Sequence, residues 1–114
     1  MKILSNASAE QVAICARFQS EIDAPMPGER VGIALATLSQ LPLNALRHNR
    51  EGGVCGWYIW GGEEMPNDPE FFQALCVEHL PDHASPLIPY LALAPGWRVL
   101  LAPEYEDVWF DSEL

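Results

Sequence analysis

The sequence predicts an α+β domain in which two N-terminal helices pack on one face of a small, mainly antiparallel β-sheet. Two observations carry that expectation. In the first half, apolar residues recur at three- and four-residue steps, the period of one helix face. In the second half, short aromatic and β-branched runs are bounded by glycine and proline, the composition of strands between turns. A chain of 114 residues, 49% hydrophobic, holds enough apolar material for one core and too little for two, so residues 1–114 are read as one domain.

Ser8-Ala9-Glu10-Gln11 has the capping-box pattern, in which the serine hydroxyl and the glutamine side chain satisfy each other's backbone amides. A helix is predicted to start there, bury Val12, Cys15, Phe18 and Ile22, and stop at Asp23-Ala24-Pro25. Phe18 and Ile22 are core candidates. Beyond the Pro25–Gly28 turn, Val31, Leu35, Leu38 and Leu41 keep a similar spacing, widened by Ile33 and Ala34, and predict a second amphipathic helix ended by Pro42. Gly32 within it costs about 1 kcal/mol relative to alanine.

Gly52-Gly53 and Gly61-Gly62 bracket Val54–Trp60, which reads as a central strand. Its period of two sends Trp57 and Ile59 to one face and Tyr58 and Trp60 to the other, so one pair lines the core. Asp68-Pro69-Glu70 reads as a helix start. Ala74–His79 follows as a strand, and Pro86–Leu91, with two prolines, as one loose helical turn. Trp97–Leu101 and Tyr105–Phe110 are two strands joined by a hairpin at Ala102-Pro103-Glu104.

Sixteen acidic residues against six basic ones give a net charge of −10. From Glu51 onward there are twelve acids and a single base, Arg98. Such a surface repels nucleic acid and anionic lipid and suits a basic partner, although the same charge also serves solubility alone. No apolar stretch approaches the length of a membrane span, and the first residues turn polar too soon for a signal peptide, which predicts a cytoplasmic protein away from membranes. Cys15, Cys55 and Cys76, odd in number and widely spaced, read as reduced thiols packed in the core.

The chain has no phosphate-binding glycine loop followed by lysine and no nucleophile-elbow serine, so no enzymatic activity and no cofactor are expected. His79 and His83, with Glu78 or Asp82, would face one another across a helical turn, but Pro81 lies between them and two histidines are half of a four-ligand set. They read as surface or structural residues, and His48 as loop surface. Catalytic carboxylates need burial or an enforced like-charge contact; Glu63-Glu64, Glu104 with Glu106, and Asp107 with Asp111 sit by turns or on exposed strands and read as a solvated acidic face. Carboxylates mixed with tryptophan and tyrosine suit a protein interface, where aromatics anchor and charges steer.

Gly56-Trp57-Tyr58-Ile59-Trp60-Gly61-Gly62-Glu63, Phe71-Phe72, Val77-Glu78-His79-Leu80, Pro89-Tyr90-Leu91, Pro95-Gly96-Trp97-Arg98 and Tyr105-Glu106-Asp107-Val108-Trp109-Phe110-Asp111 together resemble a bacterial family. It is the immunity-protein family numbered thirty-three among those of polymorphic toxin systems. The resemblance covers about half of the chain, Gly56 to Asp111, and implies a small α+β protein without enzymatic activity that protects its own cell by binding a cognate toxin. A toxin that acts on an anionic substrate needs a basic active site, which an acidic surface would occlude. The contact surface is therefore placed on Glu63, Glu64, Asp68 and Glu70 and on Glu104, Glu106, Asp107 and Asp111, with Trp60 and Tyr105 as anchors. Two other classes compete: a ligand-sensing or scaffold domain with an aromatic pocket around Trp57 and Trp97, and a metal-dependent hydrolase using His79 and His83. An exposed apolar strand would equally serve a homodimer.

Overall fold

A computed structural model describes residues 7–64 and 72–114. The expected helix start at Asp68-Pro69-Glu70 lies outside those residues.

Helix α1, Ala9–Phe18, begins as predicted: the Gln11 amide donates to Ser8 Oγ and the Gln11 side chain accepts from the Ser8 amide. It ends four residues before Ile22, because Gln19 turns left-handed at φ 64° and its N–H closes onto Ala16 and Cys15. Ile22 is consequently exposed and pairs as an isolated bridge with Leu93, while Phe18 is half-buried against Trp97. The second predicted helix is absent. Strand β1, Arg30–Ile33, and a 3₁₀ turn, Leu35–Thr37, occupy that stretch, and strand β2, Leu43–Arg47, follows Pro42. Val31, Gly32 and Ile33 are all buried, so β1 is covered on both faces, and a buried β-branched run mimics a helix stripe in sequence. The second α-helix, α2, is the single turn Pro81–Ala84, far from the N-terminus.

The remaining strands are β3, Val54–Gly61; β4, Gln73–Cys76; β5, Trp97–Ala102; and β6, Tyr105–Phe110. Thus the strand expected over Ala74–His79 stops at Cys76 and continues as a 3₁₀ turn, Val77–His79, whereas Pro86–Leu91 does fall in a 3₁₀ segment, Ser85–Tyr90. The six strands form one sheet in the order β4-β1-β3-β2-β5-β6. The sheet is mixed, where the sequence predicts a mainly antiparallel one: β1 and β3 run parallel at its centre, and the other neighbours antiparallel.

One face carries the main core. Cys15 of α1, with Leu80, Ala84, Leu87 and Leu91 from the helical turns, packs on Val31, Ile33, Ala45, Trp57, Ile59 and Val99. Gln11 ties the helical layer together by donating from Nε2 to the Ile88 carbonyl at 2.8 Å. Tyr58 and Trp60 take the opposite face, as the period of two requires, in a smaller cluster with Ala34, Leu46, Phe72 and Leu114. Cys15 and Cys55 are buried free thiols whose pKa values burial pushes up; Cys76 is free and half-buried.

Gly56 marks a bulge: between Arg30 and Gly32 the β1–β3 register slips, and Gly56 takes φ 104°. A Cβ there would sit 2.0 Å from the His48 carbonyl oxygen. Gly56→Ala is expected to cost about 3 kcal/mol through strain and collision. Gly52→Ala, also at positive φ but with no atom within 4 Å of its Cβ, should cost about 1 kcal/mol. Urea midpoints of the two variants measure the difference.

Candidate protein-binding surface

The register brings two acidic segments to one end of the sheet. Gly61 at the end of β3 pairs with Leu43, Leu43 with Leu101 of β5, and Leu101 with Glu106 of β6. Glu63 and Glu64, which follow β3, therefore share an end with the β5–β6 hairpin. Three strand spacings of about 4.8 Å place β6 about 14 Å from β3.

Both segments are held from below. Gly61 N–H donates to Thr37 Oγ1 at 2.8 Å, Gly62 N–H to the Pro42 carbonyl at 2.9 Å, and Asn44 Nδ2 to the Gly62 carbonyl at 2.7 Å. Gly61 is obligatory, since a Cβ would lie 2.2 Å from the Thr37 carbonyl oxygen. The backbone entering Glu63 is thus fixed while the two glutamates project into solvent. At the hairpin, Ala102 pairs with Tyr105, leaving Pro103 and Glu104 as the turn, with Glu104 left-handed at φ 59°. Glu104 is exposed.

The expected contact residues divide by their partners. Glu63, Glu64, Glu104 and Asp107 are exposed and form no ion pair among the described residues. Glu106 instead accepts from Arg17 Nη2 at 2.6 Å and from the Tyr90 hydroxyl, which pins α1 and the 3₁₀ segment onto β6. Asp111 turns back to Arg98 Nη1 at 3.0 Å; the Glu113 amide and then that guanidinium hold its carboxyl below the usual range. Tyr105 is 53% exposed, whereas Trp60 is 4% exposed and offers a partner almost no surface. Asp68 and Glu70 lie outside the described residues.

Two exposed aromatics stand beside these residues without having been singled out: Trp109, 37% exposed with the Arg98 guanidinium over its ring, and Phe110, 55% exposed and edge-on to Trp97. The alternation of β6 was their available signal. Tyr105, Asp107 and Trp109 point to one face and Glu106, Val108 and Phe110 to the other.

Burial first, and then the bond to Glu106, push the Tyr90 hydroxyl up to about 12. A raised pKa means the folded protein holds this proton more tightly than the unfolded chain. The stabilisation is complete below the ordinary value of 10 and is lost as pH rises from there through about 12. Urea midpoints recorded from pH 9 to 12 should fall more steeply for the wild type than for Tyr90→Phe.

The aromatic pocket expected around Trp57 and Trp97 is filled space. Trp57 is fully buried, its Nε1 donates to the Leu91 carbonyl at 2.8 Å, and the Arg47 guanidinium lies 5.6 Å from its ring. Trp97 is wedged between Phe18 and Phe110. A shallow cleft of about 390 Å³ opens elsewhere, between His48, Glu51, Tyr58 and Leu114. His79 and His83 are exposed, and among the described residues no three metal-ligating side chains converge. No helix of the described residues is long and apolar enough to cross a membrane.

A family model described as "Imm33-like domain" matches residues 10–111. No curated protein and no solved structure matches the chain.

Proposed function

The chain belongs to the Imm33-like domain family, and on that premise we propose that it is an immunity protein which binds and neutralises a cognate bacterial toxin. It acts by binding rather than by catalysis, in the cytoplasm of the cell it protects. The observation that supports this reading is the open acidic end of the sheet. Four other acids are held inside the molecule, Asp23 and Glu29 by Arg50, Glu106 by Arg17 and Asp111 by Arg98, and the exposed Glu10, Glu21, Glu51 and Asp82 stand singly on other segments. Glu63, Glu64, Glu104 and Asp107 are left facing water on a rigid base, with Tyr105 beside them.

Charges kept free on a fixed scaffold have little value for stability and considerable value for steering an oppositely charged partner. The partner surface that fits is basic, as the active site of a toxin acting on an anionic substrate must be. Occlusion of that site by the acidic end prevents substrate from entering. Nucleic acid itself is repelled by a net charge of −10.

The test is made with the purified chain and the purified protein encoded immediately beside it. Co-elution in gel filtration, and loss of the neighbour's toxic activity at a one-to-one ratio, are the expected results. Full activity of the neighbour in the presence of excess chain would overturn the assignment.

A further inference from the structure

Among the described residues, strand β6 is the last strand of the sheet and pairs only with β5. Its register fixes which backbone groups remain open. In an antiparallel ladder, opposed residues alternate between pairs that exchange both hydrogen bonds and pairs that exchange none. The two-residue turn makes Ala102 and Tyr105 a bonded pair, and the Asp111 amide donates to the Gly96 carbonyl at 2.7 Å in the same phase. Tyr105, Asp107 and Trp109 therefore direct their N–H and C=O groups to β5. Glu106, Val108 and Phe110 direct theirs outward, along an edge that no described strand covers.

An open edge of this kind is a template for another strand, and proteins that do not use one blunt it with proline, charged side chains, a bulge or a covering loop; of the two carboxylates on β6, Glu106 is neutralised by Arg17, which leaves Asp107. β6 contains no proline or lysine, and its pairing with β5 is regular from Tyr105 to Phe110. It is flanked by exposed aromatic side chains on both faces, Tyr105 and Trp109 on one and Phe110 on the other. Its free carboxylate, Asp107, stands between Tyr105 and Trp109 on a single face. On the other face Glu106 is already occupied by Arg17 and Tyr90.

We propose that an extended, basic segment of the toxin docks on β6 as a seventh strand, bonding through Glu106, Val108 and Phe110 and placing a lysine or arginine against Asp107. The identity of the partner rests on the immunity reading; the mode of docking rests on the register. A second copy of this chain is the poorer occupant. Antiparallel self-pairing centred on Val108 would set the two Asp107 carboxylates as diagonal neighbours about 7–8 Å apart on one face, between two molecules each carrying −10. A basic strand replaces that repulsion with attraction while making the same backbone bonds.

The experiment uses the full chain and a synthetic peptide of about six residues alternating lysine and threonine. Its control is the same peptide N-methylated at every backbone amide, which keeps the charge and removes the donors of both edges. The unmodified peptide is expected to slow amide hydrogen exchange at Glu106, Val108 and Phe110, and the methylated peptide to bind at least about tenfold more weakly, the loss of one or two net hydrogen bonds. Asp107→Lys, at an exposed side chain, should weaken the unmodified peptide by a similar factor at low salt. Equal binding of both peptides, protection of other amides, or a free chain already dimeric with these three amides protected would each overturn the proposal. Relief of toxicity by the chain without protection of this edge in the toxin complex would overturn the docking mode and leave the immunity reading standing.

Discussion

Arg47→Leu is expected to lower stability by about 4 kcal/mol, a large part of the roughly 5–15 kcal/mol that holds a domain of this size folded. Arg47 ends β2 beneath the main core with its side chain fully buried. Its Nε donates to the Cys55 carbonyl at 3.0 Å, and Nη1 donates to the carbonyls of Asp23 at 2.6 Å, Leu93 at 2.7 Å and Leu91 at 3.3 Å. One guanidinium thereby joins β3, the segment after α1 and the loop before β5. Among the described residues Nη2 finds no hydrogen-bond acceptor, and it lies 3.9 Å from Asp23 Oδ1. Burial pushes the Arg47 pKa down, and the Asp23 carboxylate opposes that shift; an arginine remains charged regardless.

Removing a buried charge and its bonds leaves several carbonyls unsatisfied in the interior, and this outweighs the gain from burying leucine. Arg50→Leu is the comparison. Arg50 is one-third exposed and pairs with Glu29 at 2.5 Å and Asp23 at 2.8 Å, so its loss should cost about 1 kcal/mol or less. Urea unfolding followed by circular dichroism separates the two. Equal small losses would mean that Arg47 does not join these segments energetically.

Arg47 also shows where sequence reading stops. In sequence, Arg47-His48-Asn49-Arg50 is a polar run and reads as surface, since arginine is rarely fully buried. What makes burial tolerable is a set of carbonyls from residues 8 to 46 positions away, a tertiary coincidence with no local signature. The missed strand β1 fails for a related reason. Val31, Ile33, Leu35 and Leu38 satisfy both a helix stripe and a buried strand, and only the place of β1 between β3 and β4 decides between them.

Segments with local determinants were legible. The capping box at Ser8, the glycine-bounded β3 and the β5–β6 hairpin all appear where turn chemistry and alternation put them. Carboxylates could be located on the surface but their partners could not, so Glu106 and Asp111 looked as free as Glu104 and Asp107. Trp60 carried the same ambiguity: alternation gave its face, and the cluster with Ala34, Leu46 and Phe72 on that face buries it.

The second large effect concerns association. Combining Glu63→Lys, Glu64→Lys, Glu104→Lys and Asp107→Lys moves the net charge from −10 to −2, two units for each reversal. Association with the toxin should slow by about 10- to 100-fold at low salt, and the dependence of the rate on ionic strength should flatten. All four side chains are exposed and outside the internal ion pairs, so stability should change by less than about 0.5 kcal/mol per site. Reversing Glu10, Glu21, Glu51 and Asp82, exposed residues outside these two acidic segments, gives the same net charge and serves as the control. Its rate should remain within a few-fold of wild type, because fields at the surface fall off within a Debye length of about 10 Å. Equal slowing in both variants would assign the effect to total charge rather than to this end of the sheet.

Immunity is read directly from the growth of cells expressing the adjacent gene's product, with and without this chain. Arrest is expected without the chain, recovery with it, and loss of recovery in the variant reversed at Glu63, Glu64, Glu104 and Asp107 though that variant is folded and present at wild-type levels. Arrest that persists with the wild-type chain, or growth that never depends on it, would contradict immunity.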